Sequence, residues 1–151
     1  MRKPFGANLT SEPPDHFVFF IDRSLGKHAV AARLRGVGAT VEIHDDHFLP
    51  DAPDSEWLGE VGRRGWLVLT KDKRIQHRAI EQSAVASAFV RLFALTGGNL
   101  TGDEMGQVLA KARRKMVAIA RDNRAPFIAR VYKNGSVAVV VNRRKLLQRQ
   151  S

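Results

Sequence analysis

Apolar and polar positions along this chain fall into short unbroken runs separated by longer stretches of helical spacing. FVFFID at 17–22, GWLVLT at 65–70 and VASAFVRLF at 85–93 are the unbroken runs. Residues that are apolar on both sides of a pleat belong to a strand covered on both faces, so these predict strands of a buried sheet. ATVEIH at 39–44 predicts a further, shorter strand. Between them, Ser24 caps a helix running to about Arg35 and closed by Gly36 and Gly38. Asp54 is an N-cap for SEWLGEVGRR, in which Trp57, Leu58 and Val61 share one face. The polar stretch 71–82 predicts a turn and a short helix. After TGGN, Thr101-x-x-Glu104 is a capping box, followed by Met105, Val108, Leu109, Ala112, Met116 and Ile119 at helical spacing. FIARVYKNGSVAVVV at 127–141 alternates around Asn134-Gly135, the signature of a hairpin with a type I′ turn.

Strand and helix thus alternate four times before the hairpin, which predicts a three-layer α/β/α sandwich with a mainly parallel central sheet. The expected domain is 16–141, preceded by a flexible lead-in over 1–15 with Pro4, Pro13 and Pro14, and followed by a frayed basic tail over 142–151.

Composition narrows the chemistry. The chain has 151 residues, no cysteine, and 25 Lys and Arg against 15 Asp and Glu, a net charge of +10. Without cysteine, disulfides and thiolate metal sites are excluded, and any metal must take oxygen or imidazole ligands. The basic excess predicts a polyanionic partner. No run reaches the roughly 18 apolar residues of a membrane span, and the start of the chain lacks the apolar core of a signal peptide, so a cytoplasmic protein with no membrane partner is expected. The acids are unevenly spread: Glu42, Asp45, Asp46, Asp51, Asp54, Glu56 and Glu60 form an acidic segment in a basic chain.

Asp22 and Asp72 stand at or just past the ends of two predicted strands. In an open parallel sheet, ligands bind outside the carboxyl ends of the strands. Carboxylates converging there repel one another unless a cation lies between them, and Mg²⁺ or Mn²⁺ would serve. Beside a basic surface such an ion suits phosphodiester hydrolysis. The competing reading is that each Asp is simply a turn former or helix cap. Asp54 starts the helix that leads into the strand before Asp72, which sets its cap at the far end of that strand unless the 45–54 loop carries it back over the top. His44 and His47, flanking Asp45 and Asp46, also have ligand-like spacing. No GxGxxG, no Walker loop and no GxSxG elbow occurs.

The segments FFIDRSLGKHAVAARLRGVGATVEIH and DSEWLGEVGRRGWLVLTKDKRI resemble the PIN-like family, in the branch that includes VapC-type toxin ribonucleases. The resemblance implies a metal-dependent endoribonuclease, the toxin of a type II toxin–antitoxin pair, with Asp22, Asp54 and Asp72 as the Mg²⁺ or Mn²⁺ ligands and Glu56 as an additional acid. It further implies a cognate antitoxin and the option of a homodimer. Lys71, Lys73 and Arg74, with Lys111, Arg114 and Lys115 on the long helix, are the expected RNA-binding cations. One departure stands out. Many members carry a further acid a few residues beyond the position of Asp72, where this chain has Lys73, Arg74 and Ile75. Arg74 and His77 there would contact phosphate instead. The alternative is therefore a non-catalytic RNA-binding or complex-forming module that retains the fold.

Overall fold

The computed structural model of the chain describes residues 16–148, so the expected lead-in over 1–15 and the last three residues lie outside the described region. Six strands form one sheet in the order β2-β1-β3-β4-β5-β6. They are β1 (Val18–Ile21), β2 (Thr40–Ile43), β3 (Leu67–Thr70), β4 (Arg91–Leu95), β5 (Phe127–Val131) and β6 (Val137–Val141). The first five run parallel and β6 pairs antiparallel with β5. The helices are α1 (Ala29–Gly36), α2 (Asp54–Arg64), α3 (Lys73–His77), α4 (Ala79–Ala88), α5 (Gly102–Asp122) and α6 (Arg143–Gln148).

The unbroken apolar runs are explained by two cores, one on each face. Phe19, Ile21, Leu67, Leu69, Phe93 and Leu95 point to the side covered by α1 and α5. Phe20, Val68, Leu92 and Ala94, the alternate positions, point to the side covered by α2, α3, α4 and α6. A strand alternates its side chains across the sheet, so every residue must be apolar when both faces are covered. The long helix is capped as expected: the Thr101 side chain accepts from Glu104 N at 3.1 Å, and Glu104 Oε1 accepts from Thr101 N at 2.8 Å.

Several expectations need correction. The fourth strand is displaced from the expected 85–93: residues 85–88 end α4, Phe89 turns the chain at φ 54°, and β4 runs Arg91–Leu95. A short apolar run is equally compatible with a buried helix end and a strand, and Ala84, Ala86 and Ala88 favour the helix. Ser24 does not cap a long helix. It lies in a single 3₁₀ turn, Arg23–Leu25, broken by Gly26 at φ 80°, and α1 begins at Ala29. The hairpin turn is not type I′, since Gly135 has positive φ and Asn134 does not. Instead Gly135 N donates to Tyr132 O and Tyr132 N to Ser136 O, a three-residue connection with the glycine in the left-handed position.

Residues 143–148 are not frayed. They form α6, and Leu146 is buried against the α4 side of the sheet with Val85, Ile128 and Val141. Leu146→Ala should therefore cost about 2–5 kcal/mol of unfolding free energy. A urea titration showing no measurable change would mean that α6 is not part of the cooperative fold.

Candidate functional site

Adjacent parallel strands β1 and β3 both end at the same edge of the sheet, and this brings Asp22 and Asp72 together. Asp22 N still donates to Leu69 O at 3.0 Å, so the residue is held by β3 just past the end of β1. The residue is buried, 9% exposed. Burying a charge is costly unless it is hydrogen-bonded. Asp22 Oδ2 accepts from Thr70 Oγ1 at 2.6 Å and from Ser24 Oγ at 3.0 Å. The same hydroxyls organise the next segment: Lys71 N donates to Ser24 Oγ and Asp72 N to Thr70 Oγ1, each at 3.0 Å. Ser24 and Thr70, which the sequence marked only as a cap and a strand residue, are thus the clasp between the two acids.

Asp72 caps α3. Its Oδ1 accepts from Arg74 N at 2.9 Å and Arg74 Nε at 3.1 Å, and its Oδ2 from Arg74 Nη2 at 2.7 Å and Nε at 3.2 Å. The Arg74 guanidinium holds the Asp72 carboxyl below its ordinary value of 3.8, against the opposing effect of burial. A carboxylate with a depressed pKa loses its charge, and the stability that goes with it, only as pH falls below that ordinary value. The pair is therefore intact throughout neutral and mildly acidic conditions. Asp72 raises the Arg74 pKa in turn, with smaller contributions from Asp54 and Glu81.

An α2 that returns antiparallel to the strands necessarily starts at their carboxyl ends, so the helix direction suffices to bring Asp54 to the side where the sequence left it undecided. Asp54 does not act as the helix N-cap, which is Pro53. Its Oδ1 accepts from Trp57 Nε1 at 3.0 Å. Glu56 is exposed in the first turn of α2.

A cationic cleft adjoins Asp72, whereas Asp22, Asp54 and Glu56 do not line it. The cleft, of about 690 Å³, is lined by Ser24, Lys71, Asp72, Lys73, Arg74, His77, the Thr96–Leu100 loop and Arg130. Lys71, Lys73 and Arg74 are among the residues that line it. Lys111, Arg114 and Lys115 are exposed on α5; that helix reaches the cleft through Met105, and none of the three lines it. Arg130 was missed. Its signal was a lone cation inside the apolar strand FIARV, where β5 reaches the same edge.

The acidic segment and its histidines find ordinary partners. Asp45 pairs with Lys27 and Arg23 at 3.1 Å each, and the Lys27 hydrogen bond leads the effects that lower its pKa. Glu60 pairs with Arg63 and Arg64. His44 is buried, 2% exposed, among Phe20, Phe48 and Trp57, while His47 lies on Glu42 at 2.6 Å and against the Trp66 ring. Both rings touch Phe48, but His44 meets the Asp45 carboxylate at 3.2 Å and His47 that of Glu42, so they do not form a ligand pair.

A divalent ion does not fit the side chains as they stand. Both oxygens of Asp72 are taken by Arg74, and among the described residues no group of three His, Asp or Glu could hold a metal ion. Nor is any helix among them long and apolar enough to cross a membrane.

Comparison with known proteins supplies one match. A family model described as a PIN like domain matches residues 17–97, from β1 through the loop after β4. The matched span includes Asp22, Asp54, Asp72 and most of the cleft. No curated protein and no solved structure matches the chain.

Proposed function

Since the chain belongs to the PIN-like domain family, a nuclease-type fold, we propose that it is an endoribonuclease whose site is the acidic edge and adjoining cationic cleft at the carboxyl ends of β1 and β3. The observation that carries this reading is the juxtaposition itself. A buried carboxylate, Asp22, is clasped through Thr70 and Ser24 to the segment bearing Asp72, and Asp72 lines a cleft with Ser24, Lys71, Lys73 and Arg130. Cations in that position hold phosphates and fix the register of a nucleic acid without reading its bases. The Gly97-Gly98 pair in the loop opposite lets a backbone approach closely.

Dependence on Mg²⁺ or Mn²⁺, with Asp22, Asp54 and Asp72 as the acids concerned, is part of the proposal and is the variable of its test. Labelled single-stranded RNA is incubated with the purified chain in Mn²⁺, in Mg²⁺ and in EDTA, beside Asp72→Asn. Cutting in metal, lost in EDTA and reduced by about 10²-fold or more in Asp72→Asn, is the expected outcome. Cutting that survives Asp72→Asn would place the chemistry elsewhere. DNA duplex in a parallel reaction separates RNA from DNA as substrate.

The cytoplasmic toxin role goes with this reading. The partner we propose is an antitoxin that lays acidic side chains over Lys71, Lys73 and Arg74, since a cationic cleft is most economically closed by carboxylates. A homodimer is compatible with it. The second reading is an RNA-binding module without catalysis, and one observation favours it: Arg74 occupies both oxygens of the acid that would have to coordinate. RNA that is retained but never cut, in any metal, would establish that reading.

A further inference from the structure

The family implies a cation among these acids, and the chain already contains one. We propose that Arg74 is a displaceable counter-ion: it closes Asp72 to divalent cations in the RNA-free protein, and a phosphodiester entering the cleft draws the guanidinium off and opens the carboxylate.

The geometry of the pair leads to this. Each Asp72 oxygen accepts two N–H donors from the same residue, at 2.7–3.2 Å, so no oxygen is left with a cheap coordination position. Arg74 lies only two residues on, in the first turn of α3, and folds back over its own cap. The two partners are unequally anchored. The Asp72 side chain is 17% exposed and its backbone N–H is tied to Thr70 Oγ1, whereas the Arg74 side chain is 54% exposed. Exposed ion pairs are held weakly, so a competing anion takes the exchangeable member, which is the arginine. A guanidinium presents a planar fork that fits phosphate as well as carboxylate. Arg74 also lines the cleft with Lys71, Lys73 and Arg130, so a phosphate held by those cations arrives beside it. Asp54 and Glu81 contribute to the field around Arg74, so removal of the guanidinium leaves more than one acid uncompensated at this edge. Such an arrangement attracts a divalent ion where the present one repels it.

The inference rests on the ribonuclease reading for its biological use, but its test reads metal binding and not cleavage. Mn²⁺ is titrated into the RNA-free full chain and the free ion followed by electron paramagnetic resonance, for the wild type, Arg74→Gln, and Arg74→Gln combined with Asp72→Asn. Arg74 is exposed and outside both cores, so its replacement leaves the fold intact, as a thermal melt would verify. Arg74→Gln should bind Mn²⁺ about tenfold more tightly than the wild type, and the double variant should lose that gain. A single-stranded oligoribonucleotide, checked by gel to be uncut after the titration, should tighten Mn²⁺ binding in the wild type and have little further effect in Arg74→Gln.

Equal Mn²⁺ affinity in wild type and Arg74→Gln, or a gain that persists in the double variant, would overturn the proposal. So would an oligonucleotide effect of the same size in both. If the affinities are equal while metal-dependent cutting still requires Asp72, the counter-ion role fails and the ribonuclease reading stands. If Arg74→Gln gains Mn²⁺ through Asp72 yet no RNA is ever cut, the counter-ion role stands and the ribonuclease reading fails.

Discussion

Asp22→Asn should reduce RNA cleavage by about 10²-fold or more, the scale on which positioned acid or base groups act, while leaving the protein folded. The substitution is nearly isosteric, and the amide oxygen can still accept from Thr70 Oγ1 and Ser24 Oγ, now at 2.6 and 3.0 Å from the carboxylate. What disappears is the charge. Hydrogen bonds to a neutral acceptor are worth less than those to a charged one, by about 1 kcal/mol each, but a buried charge no longer has to be desolvated, which offsets part of that loss. Melting by circular dichroism should thus shift little while cleavage collapses. Asp22→Ala is the contrasting variant. It leaves both hydroxyls facing an empty corner and should cost about 1–3 kcal/mol for unsatisfied buried groups. If Asp22→Asn cuts RNA as fast as the wild type, the strand-end acids are architecture and the chemistry lies elsewhere.

A large effect on stability is also expected at a glycine far from the cleft. A Cβ at Gly62 in α2 would lie 2.0 Å from Ala88 O, 3.1 Å from Ala88 C and 3.3 Å from Val90 Cγ2. The obstacle is backbone at the end of α4, where Phe89 makes its left-handed turn into β4, so no side chain can swing aside. Gly62→Ala must push α2 away from α4, which opens the core around Trp57, Leu58, Val61, Val85 and Val90. Overpacking of this kind costs about 3 kcal/mol or more, which for a chain of this size corresponds to a fall in Tm on the order of 10 °C. Gly36→Ala serves as the control, because a Cβ there meets nothing within 4 Å. It should be neutral or slightly stabilising, as alanine is the better helix former by about 1 kcal/mol. Urea titrations of both variants would check this. Equal midpoints would mean that the α2–α4 contact is more compliant than its close approach implies.

Much of this protein was legible in its chain because the relevant signals are local. FVFFID and LVLT announce doubly covered strands, since only a sheet with helices on both faces requires every position to be apolar. The capping box at Thr101 and the apolar stripe behind it set α5 within one continuous segment. The order of these elements was enough for a parallel sheet, because parallel neighbours need a crossover between them. Asp22 and Asp72 were likewise visible as carboxylates that interrupt apolar runs.

What the chain alone left open depended on which groups meet across sequence distance. VASAFV is compatible with helix or strand, and only its burial against α2 and the turn at Phe89 decided for helix. LeuLeu at 146–147 in a basic tail acquires meaning only beside Val85 and Ile128, which leave a place for Leu146 on the sheet. The clasp of Ser24 and Thr70 on Asp22 joins residues 46 and 48 positions apart, and hydroxyl-bearing residues are too common for such a pair to be recognised beforehand. Arg130 reaches the cleft only because β5 lies next to β4. The sequence by itself determined the layers of the fold and the edge of the sheet where acids and cations accumulate, since hydrophobic periodicity and strand order are properties of the chain. Tertiary structure decided the state of those acids: whether a carboxylate faces another carboxylate, a hydroxyl or a guanidinium is a matter of ångströms, and here it set Arg74 on Asp72.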